Sequence, residues 1–320
     1  MKTLNRRNFL CRSAALAASS LGLNSCTQIE TGAEKTTSSN ALYSRPNRIA
    51  VSTYSFWRFR DDSKLPVEDC IDSAARMQFD GVEILHIQMA DESNGYLQGL
   101  KRRALTNGLD LCGFATHQGF VSPDKNVRQE NIDHTIKCVE LAYKLGIPTM
   151  RINTGRWGTI KSFDELMANR GIEPPPAGYT EDDAFGWVIE SIEKCLPTAE
   201  KCGVVLGLEN HWGLARSPEG VLKIIKAIDS PWLSVTLDTG NFLDDPYDKL
   251  EQLAPYATFM HAKTYFGGGI WYTLDLDYNR IVRIMRKHNY HGYVSLEFEG
   301  KENPQTAIPK SLALLRRAFG

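Results

Sequence analysis

The residues best suited to chemistry lie in four short apolar runs in the second half of this 320-residue chain. The runs end Gly207-Leu208-Glu209-Asn210-His211, Ser234-Val235-Thr236-Leu237-Asp238, Phe259-Met260-His261-Ala262-Lys263 and Ser295-Leu296-Glu297-Phe298-Glu299. Alternate side chains of a strand share a face. If the apolar alternates face helices, Glu209, Asp238, His261 and Glu297 turn the other way. Three carboxylates meeting in one cavity repel each other and resist ionisation unless a cation sits among them. With one imidazole they form a mostly hard ligand set for a single divalent ion. Mn²⁺ is the preferred expectation, with Mg²⁺, Co²⁺ or Zn²⁺ as alternatives. Glu299 has the parity of Glu297, so the last ligand could sit one step further along.

Such convergence needs a scaffold that brings successive strand ends together. From Arg48 onward, apolar runs alternate with segments of helical period, such as Ile132, Ile136, Val139 and Tyr143. The runs are 49–54, 81–86, 109–117, 147–153, 204–211, 233–238, 258–263 and 293–299. Strict alternation predicts parallel strands. Eight units over residues 48–320 predict a single (β/α)8 TIM barrel, whose functional residues gather at the C-terminal strand ends. A doubly wound sheet is the alternative, but no glycine-rich phosphate turn follows the first run. The interval at about 156–180, with Pro174-Pro175-Pro176, is too long for a simple connection and predicts a loop over the barrel mouth.

The strings LENHWG, TLDTGNF, MHAKTY and SLEFEG resemble the metal-binding strand ends of the xylose isomerase-like TIM barrels. That superfamily includes sugar phosphate isomerases and epimerases, ketose 3-epimerases and relatives of the apurinic endonucleases. The resemblance implies that Glu209, Asp238, His261 and Glu297 are the metal ligands. It further implies that Glu209 and Glu297 move the proton from opposite faces of the sugar. It favours Glu297 over Glu299. The endonuclease branch carries a three-metal cluster with extra histidines and a DxH pair. Here Asn241 stands three after Asp238, and Ala262-Lys263 follows His261. DNA cleavage is therefore not expected.

The chemistry also follows from the residues. A proton beside a carbonyl is weakly acidic, and its removal leaves an enediolate. A divalent ion shared by the carbonyl and a neighbouring hydroxyl stabilises that charge, while a nearby carboxylate accepts the proton. The leading expectation is a sugar isomerase or epimerase acting on a sugar or keto-sugar. One alternative is a lyase that cleaves 3-keto-glycosides by β-elimination; another is a sugar-binding barrel without turnover. His117, Arg151, His211 and Lys263 lie at strand ends and are the candidates for binding substrate oxygens. Arg151 could instead pair with a barrel carboxylate such as Glu83, which is itself expected to be structural. Tyr54, Phe56, Trp57, Trp157 and Trp212 could stack on a sugar ring or simply close the barrel. His134, His288 and His291 are expected on the surface.

Composition excludes several other classes. The formal net charge of −1 gives no drive towards nucleic acid, and none is expected as a partner. Seven cysteines without a CxxC pair do not make a disulfide scaffold. Cys70, Cys112, Cys138, Cys195 and Cys202 are expected to be small buried residues. Residues 1–25 read as a signal peptide, with Lys2, Arg6, Arg7 and Arg12 before a short apolar stretch and no acid before Glu30. Arg6-Arg7-Asn8-Phe9-Leu10 resembles a twin-arginine export signal, a route that carries folded proteins. Leu23-Asn24-Ser25-Cys26 resembles a lipobox that would lipidate Cys26, although Asn24 is large and polar for that motif. A periplasmic protein or a bacterial lipoprotein is expected, touching membrane only through such an anchor. Residues 26–47 read as a flexible tether. Removing residues 1–25 takes four positive charges from the net of −1, leaving about −5 on the mature chain. Replacing both Arg6 and Arg7 by lysine is expected to leave the chain unprocessed in the cytoplasm, as read by cell fractionation.

Overall fold

The computed structural model describes residues 45–60 and 64–320. The signal segment and Cys26 lie outside the described residues. Eight strands follow in chain order: β1 Ile49–Ser52, β2 Gly81–Leu85, β3 Asp110–Ala115, β4 Thr149–Ile152, β5 Val205–Glu209, β6 Leu233–Asp238, β7 Ala257–Thr264 and β8 Val294–Phe298. Each pairs in parallel with the next, and β1 closes on β8. The alternation of strand and helix therefore does produce the single closed barrel.

The helices are α1 Val67–Arg76, α2 Asn94–Thr106, α3 Lys125–Leu145, α4 Phe163–Ala168, α5 Glu181–Cys202, α6 Pro218–Ile228, α7 Tyr247–Leu253, α8 Tyr278–Lys287 and α9 Pro304–Phe319. Their ends follow local chemistry. Thr180 and Asp183 form a reciprocal capping box at the start of α5. At its other end Gly203 takes a left-handed φ of 66°, which stops the helix just before β5. The apolar stripes of these helices bury residues such as Val139, Ile192, Ile224 and Leu315 against outward strand residues such as Ile84, Met150, Leu208 and Leu296.

Three expectations need adjustment. The interval at 156–180 is not wholly a loop, because Ser162 caps the short helix α4 within it. Cys202 is half-exposed at the end of α5, whereas Cys70, Cys112, Cys138 and Cys195 are buried. The first apolar run is a strand only to Ser52, after which residues Thr53–Phe56 coil into a 3-10 turn that aims Tyr54 across the barrel mouth.

Inside the barrel, Ala50, Cys112 and Phe259 pack together as a separate apolar cluster. The β2–β3 register slips between Val82 and Glu83, so that Glu83 lies opposite Gly113. A Cβ on Gly113 would sit 2.7 Å from Phe259 Cζ and 3.1 Å from Glu83 Cγ. Only a residue without a side chain lets Glu83 and Phe259 share that level of the barrel. Gly113→Ala is expected to cost about 1–3 kcal/mol through overpacking. The check is a lower urea midpoint at an unchanged denaturant slope.

Candidate metal centre and substrate cavity

At the C-terminal ends of β5–β8, one ligand atom each from Glu209, Asp238, His261 and Glu297 lies within 4.8 Å of the others. All four residues are buried. The parallel register makes this possible by setting Asp238 opposite His261. His261 is the hub. Its Nδ1 is 2.9 Å from Glu209 Oε1, 3.6 Å from Glu297 Oε1 and 3.9 Å from Asp238 Oδ2. Its Nε2 lies 2.8 Å from Glu83 Oε1, and the other oxygen of Glu83 accepts from Ser295 Oγ at 2.9 Å.

Asp238 is fixed by its backbone. Asn210 Nδ2 donates to the Asp238 carbonyl, and Asn210 Oδ1 accepts the Asp238 N–H. Asp238 Oδ1 accepts the Gly240 N–H at 2.7 Å, while Oδ2 is buried without a hydrogen-bond partner. A buried carboxylate oxygen left without a donor is costly, and this one is aimed at the cluster. Five buried carboxyls, Glu83, Glu209, Asp238, Glu297 and Glu299, share the barrel mouth with two permanent cations, Arg151 and Lys263. The donor set, the orphaned oxygen and the charge deficit all fit a divalent cation. Among these donors it would take His261 Nδ1, leaving Nε2–H on Glu83, the arrangement by which a carboxylate orients a metal-binding imidazole.

The same crowding divides the carboxyls electrostatically. Burial, aided by Glu209 and Glu297, pushes Asp238 up to about 8, although Lys263 and His261 pull the other way. Burial likewise raises Glu297. Glu209 is also penalised by burial, but Arg151 and the hydrogen bond and charge of His261 outweigh that and hold it well below the usual carboxylate range. His261 is raised well above its ordinary value, because Glu297, Glu83 and Glu209 overcome its burial.

The other candidates are placed as follows. His117 and His211 are half-buried and line a cavity of about 480 Å³ above the cluster. Burial, with Arg151 adding repulsion, lowers His117 to about 3; burial lowers His211 to about 4 despite Glu209. Both rings are therefore neutral at pH 7. Arg151 borders the cavity, but its Nη1 donates to the Thr116 carbonyl at 2.7 Å and to Asn153 Oδ1 at 3.2 Å, and its Nε is 3.5 Å from Glu209 Oε2. It serves Glu209, and Asn153 Nδ2 donates to the same oxygen at 3.0 Å. Lys263 is buried rather than an exposed rim residue. Its Nζ donates to Glu299 Oε1 at 2.8 Å and to Asn241 Oδ1 at 3.0 Å, and lies 3.6 Å from Asp238 Oδ2. Asn241 thus holds Lys263 and, through Nδ2, the Asn210 carbonyl.

Sequence reasoning missed part of the wall. Phe59, Gln118, Arg156, Phe163, Trp271 and Tyr272 also line the cavity. Phe163 on α4 packs against Trp271 at 4.7 Å between ring centroids, and Trp212 meets Tyr272 at 6.1 Å. Arg156 is tied to Glu173 within the 156–180 interval. Of the aromatic candidates, Tyr54 and Trp212 reach this cavity, Phe56 is core, and Trp157 packs edge-on against Trp187. The expected loop at 156–180 signalled only the part of this wall made by Arg156 and Phe163.

A closed parallel barrel with an anionic cluster at its strand ends defines the class. The pattern described as "Xylose isomerase-like TIM barrel" matches residues 71–318, and the chain belongs to that family. It is similar to 3-oxo-isoapionate decarboxylase of Pectobacterium atrosepticum, with 25% identity over 233 residues and 68% of each chain covered. Among solved structures it resembles 3-keto-D-glucoside 4-epimerase from E. coli, with TM-score 0.66 and 18% identity over 85% of this chain and 99% of that one. It also resembles D-psicose 3-epimerase from Clostridium cellulolyticum H10, with TM-score 0.67 and 17% identity over the same shares. At such identities the two structures speak for the fold.

Glu83, which touches His261 but not the other three donors, offers a clean test. Glu83→Gln is expected to weaken divalent-ion affinity by roughly 10- to 100-fold while the barrel persists. Competition with a metallochromic chelator would measure it, alongside circular dichroism.

Proposed function

We propose that this protein is a divalent-metal-dependent isomerase or epimerase that removes and returns a proton beside the carbonyl of a sugar or keto-sugar. The supporting observation is the convergence of Glu209, Asp238, His261 and Glu297 beneath a cavity large enough for such a molecule. One divalent ion, when bound, supplies Lewis-acid stabilisation of the negative charge that develops on the substrate oxygens. Glu209 and Glu297 stand on β5 and β8, three strands apart around the barrel, and so approach a substrate from different sides. Glu209 is kept ionised by Arg151, and its Oε2, steadied by Asn153, accepts the proton. Glu297 returns a proton on the other side, which inverts the carbon. His117 and His211, neutral and facing the cavity, bind hydroxyl groups. Trp212 and Tyr272 cover the apolar face of the ring.

Two relatives are named for substrates with a 3-keto or 3-oxo group, which supports a keto-sugar for this chain. The export signal read in residues 1–25 favours an unphosphorylated one, because sugar phosphates are scarce outside the cytoplasm. A second reading, for which buried Lys263 at the cavity could serve as the proton donor, is a lyase. After the same C–H bond breaks, the electron pair forms a C=C bond and the β C–O bond breaks. Lys263 Nζ then protonates the departing oxygen.

Deuterium uptake separates the readings. Metal-loaded protein in D₂O is expected to place deuterium on the carbon beside the carbonyl, with substrate and epimer interconverting by NMR. Release of aglycone from a 3-keto-glycoside would support the lyase. Glu209→Gln is expected to lower exchange at least 100-fold, the lower range for a lost general base, with the ion still bound. Exchange at the native rate in Glu209→Gln would overturn its role, and neither signal in the metal-loaded protein would leave a binding barrel.

A further inference from the structure

We propose that His86, His134 and Cys138 form a second metal site, for a borderline ion of the zinc class, at the outer edge of the barrel mouth. It does not rest on the function proposed above. His86 opens the 3-10 turn His86–Gln88 directly after β2, and His134 and Cys138 lie one turn apart on the same face of α3. Cys138 Sγ is 3.7 Å from His86 Nδ1 and 3.6 Å from His134 Nε2, and one donor atom from each of the three residues lies within 4.8 Å of the others. A tetrahedral ion with Zn–S of about 2.3 Å and Zn–N of about 2.0–2.1 Å requires an S···N edge of about 3.6 Å. The side chains are thus already spaced as ligands.

The surrounding groups prepare the rings. Glu92 Oε1 lies 2.9 Å from His86 Nε2, and Glu92 Oε2 lies 2.5 Å from Lys137 Nζ. The carboxylate accepts, so Nε2 carries a hydrogen and Nδ1 is the ring atom turned towards Cys138. An entering ion would take Cys138 as the thiolate and release its proton to solvent. His134 is half-buried against Cys138 and not the surface residue its helical position suggested. Two imidazoles and a thiolate favour zinc over the hard ions suited to the barrel centre. The three donors would staple the end of β2 to α3, next to Leu85 in the cavity wall.

Cobalt(II) distinguishes the two sites, because none of Glu209, Asp238, His261 and Glu297 offers sulfur. The full chain saturated with Co²⁺ is expected to show a thiolate-to-cobalt charge-transfer band in the near ultraviolet that added Zn²⁺ bleaches. The band should persist in Asp238→Ala and vanish in Cys138→Ser and in His134→Ala, each losing one bound ion per chain. Circular dichroism confirms that each variant is folded, and His134→Ala decides the matter if Cys138→Ser does not fold. No thiolate band at saturating Co²⁺, or a band that survives in the folded variants, would overturn the site.

Discussion

The structure is organised around like charges held together out of water. His261 lies between Glu83 and Glu209, with Glu297 and Asp238 close behind, and all five side chains are buried. Carboxylates at these separations disfavour each other's ionisation, and removing one partner of such a cluster leaves an uncompensated buried charge. The arrangement is supported by fixed donors to several of these oxygens. Arg151 and Asn153 serve Glu209, Ser295 serves Glu83, and Lys263 serves Glu299. Among the four clustered donors, Asp238 Oδ2 is a buried oxygen with no hydrogen-bond partner, and a cation would contribute most there.

The scaffold meets this constraint with rigid parts. Parallel pairing fixes strand heights, so the four donors arrive at one level from strands whose sequences never meet locally. Asn210 braces β5 against the backbone of Asp238 on β6. On one side of the mouth Arg151 bonds to the Thr116 carbonyl; on the other Lys263, Asn241 and Glu299 form a second polar network, to which Tyr54 adds a 3.3 Å bond. Much of the cavity wall, by contrast, comes from connections: Phe59 after β1, Phe163 in the long insertion, Trp271 and Tyr272 after β7. A barrel thus keeps its reactive floor on strands and varies its walls on loops.

Local pattern determined much of this molecule. Alternation of apolar runs with helical period specifies parallel strands, because each crossover must carry a helix, and period-two parity separates Glu209, Asp238, His261 and Glu297 from the apolar faces of their strands. Those signals lie within a few residues of each other and need no knowledge of distant chain. Tertiary structure decided the rest, because the partners lie far apart in sequence. Glu83 meets His261 across 178 positions, and it does so only where the β2–β3 register slips beside Gly113. Arg151 turned to Glu209, α4 brought Phe163 to Trp271, and α3 carried His134 and Cys138 against His86. No periodicity encodes such meetings, since closure of the barrel alone sets which strand ends and loops become neighbours.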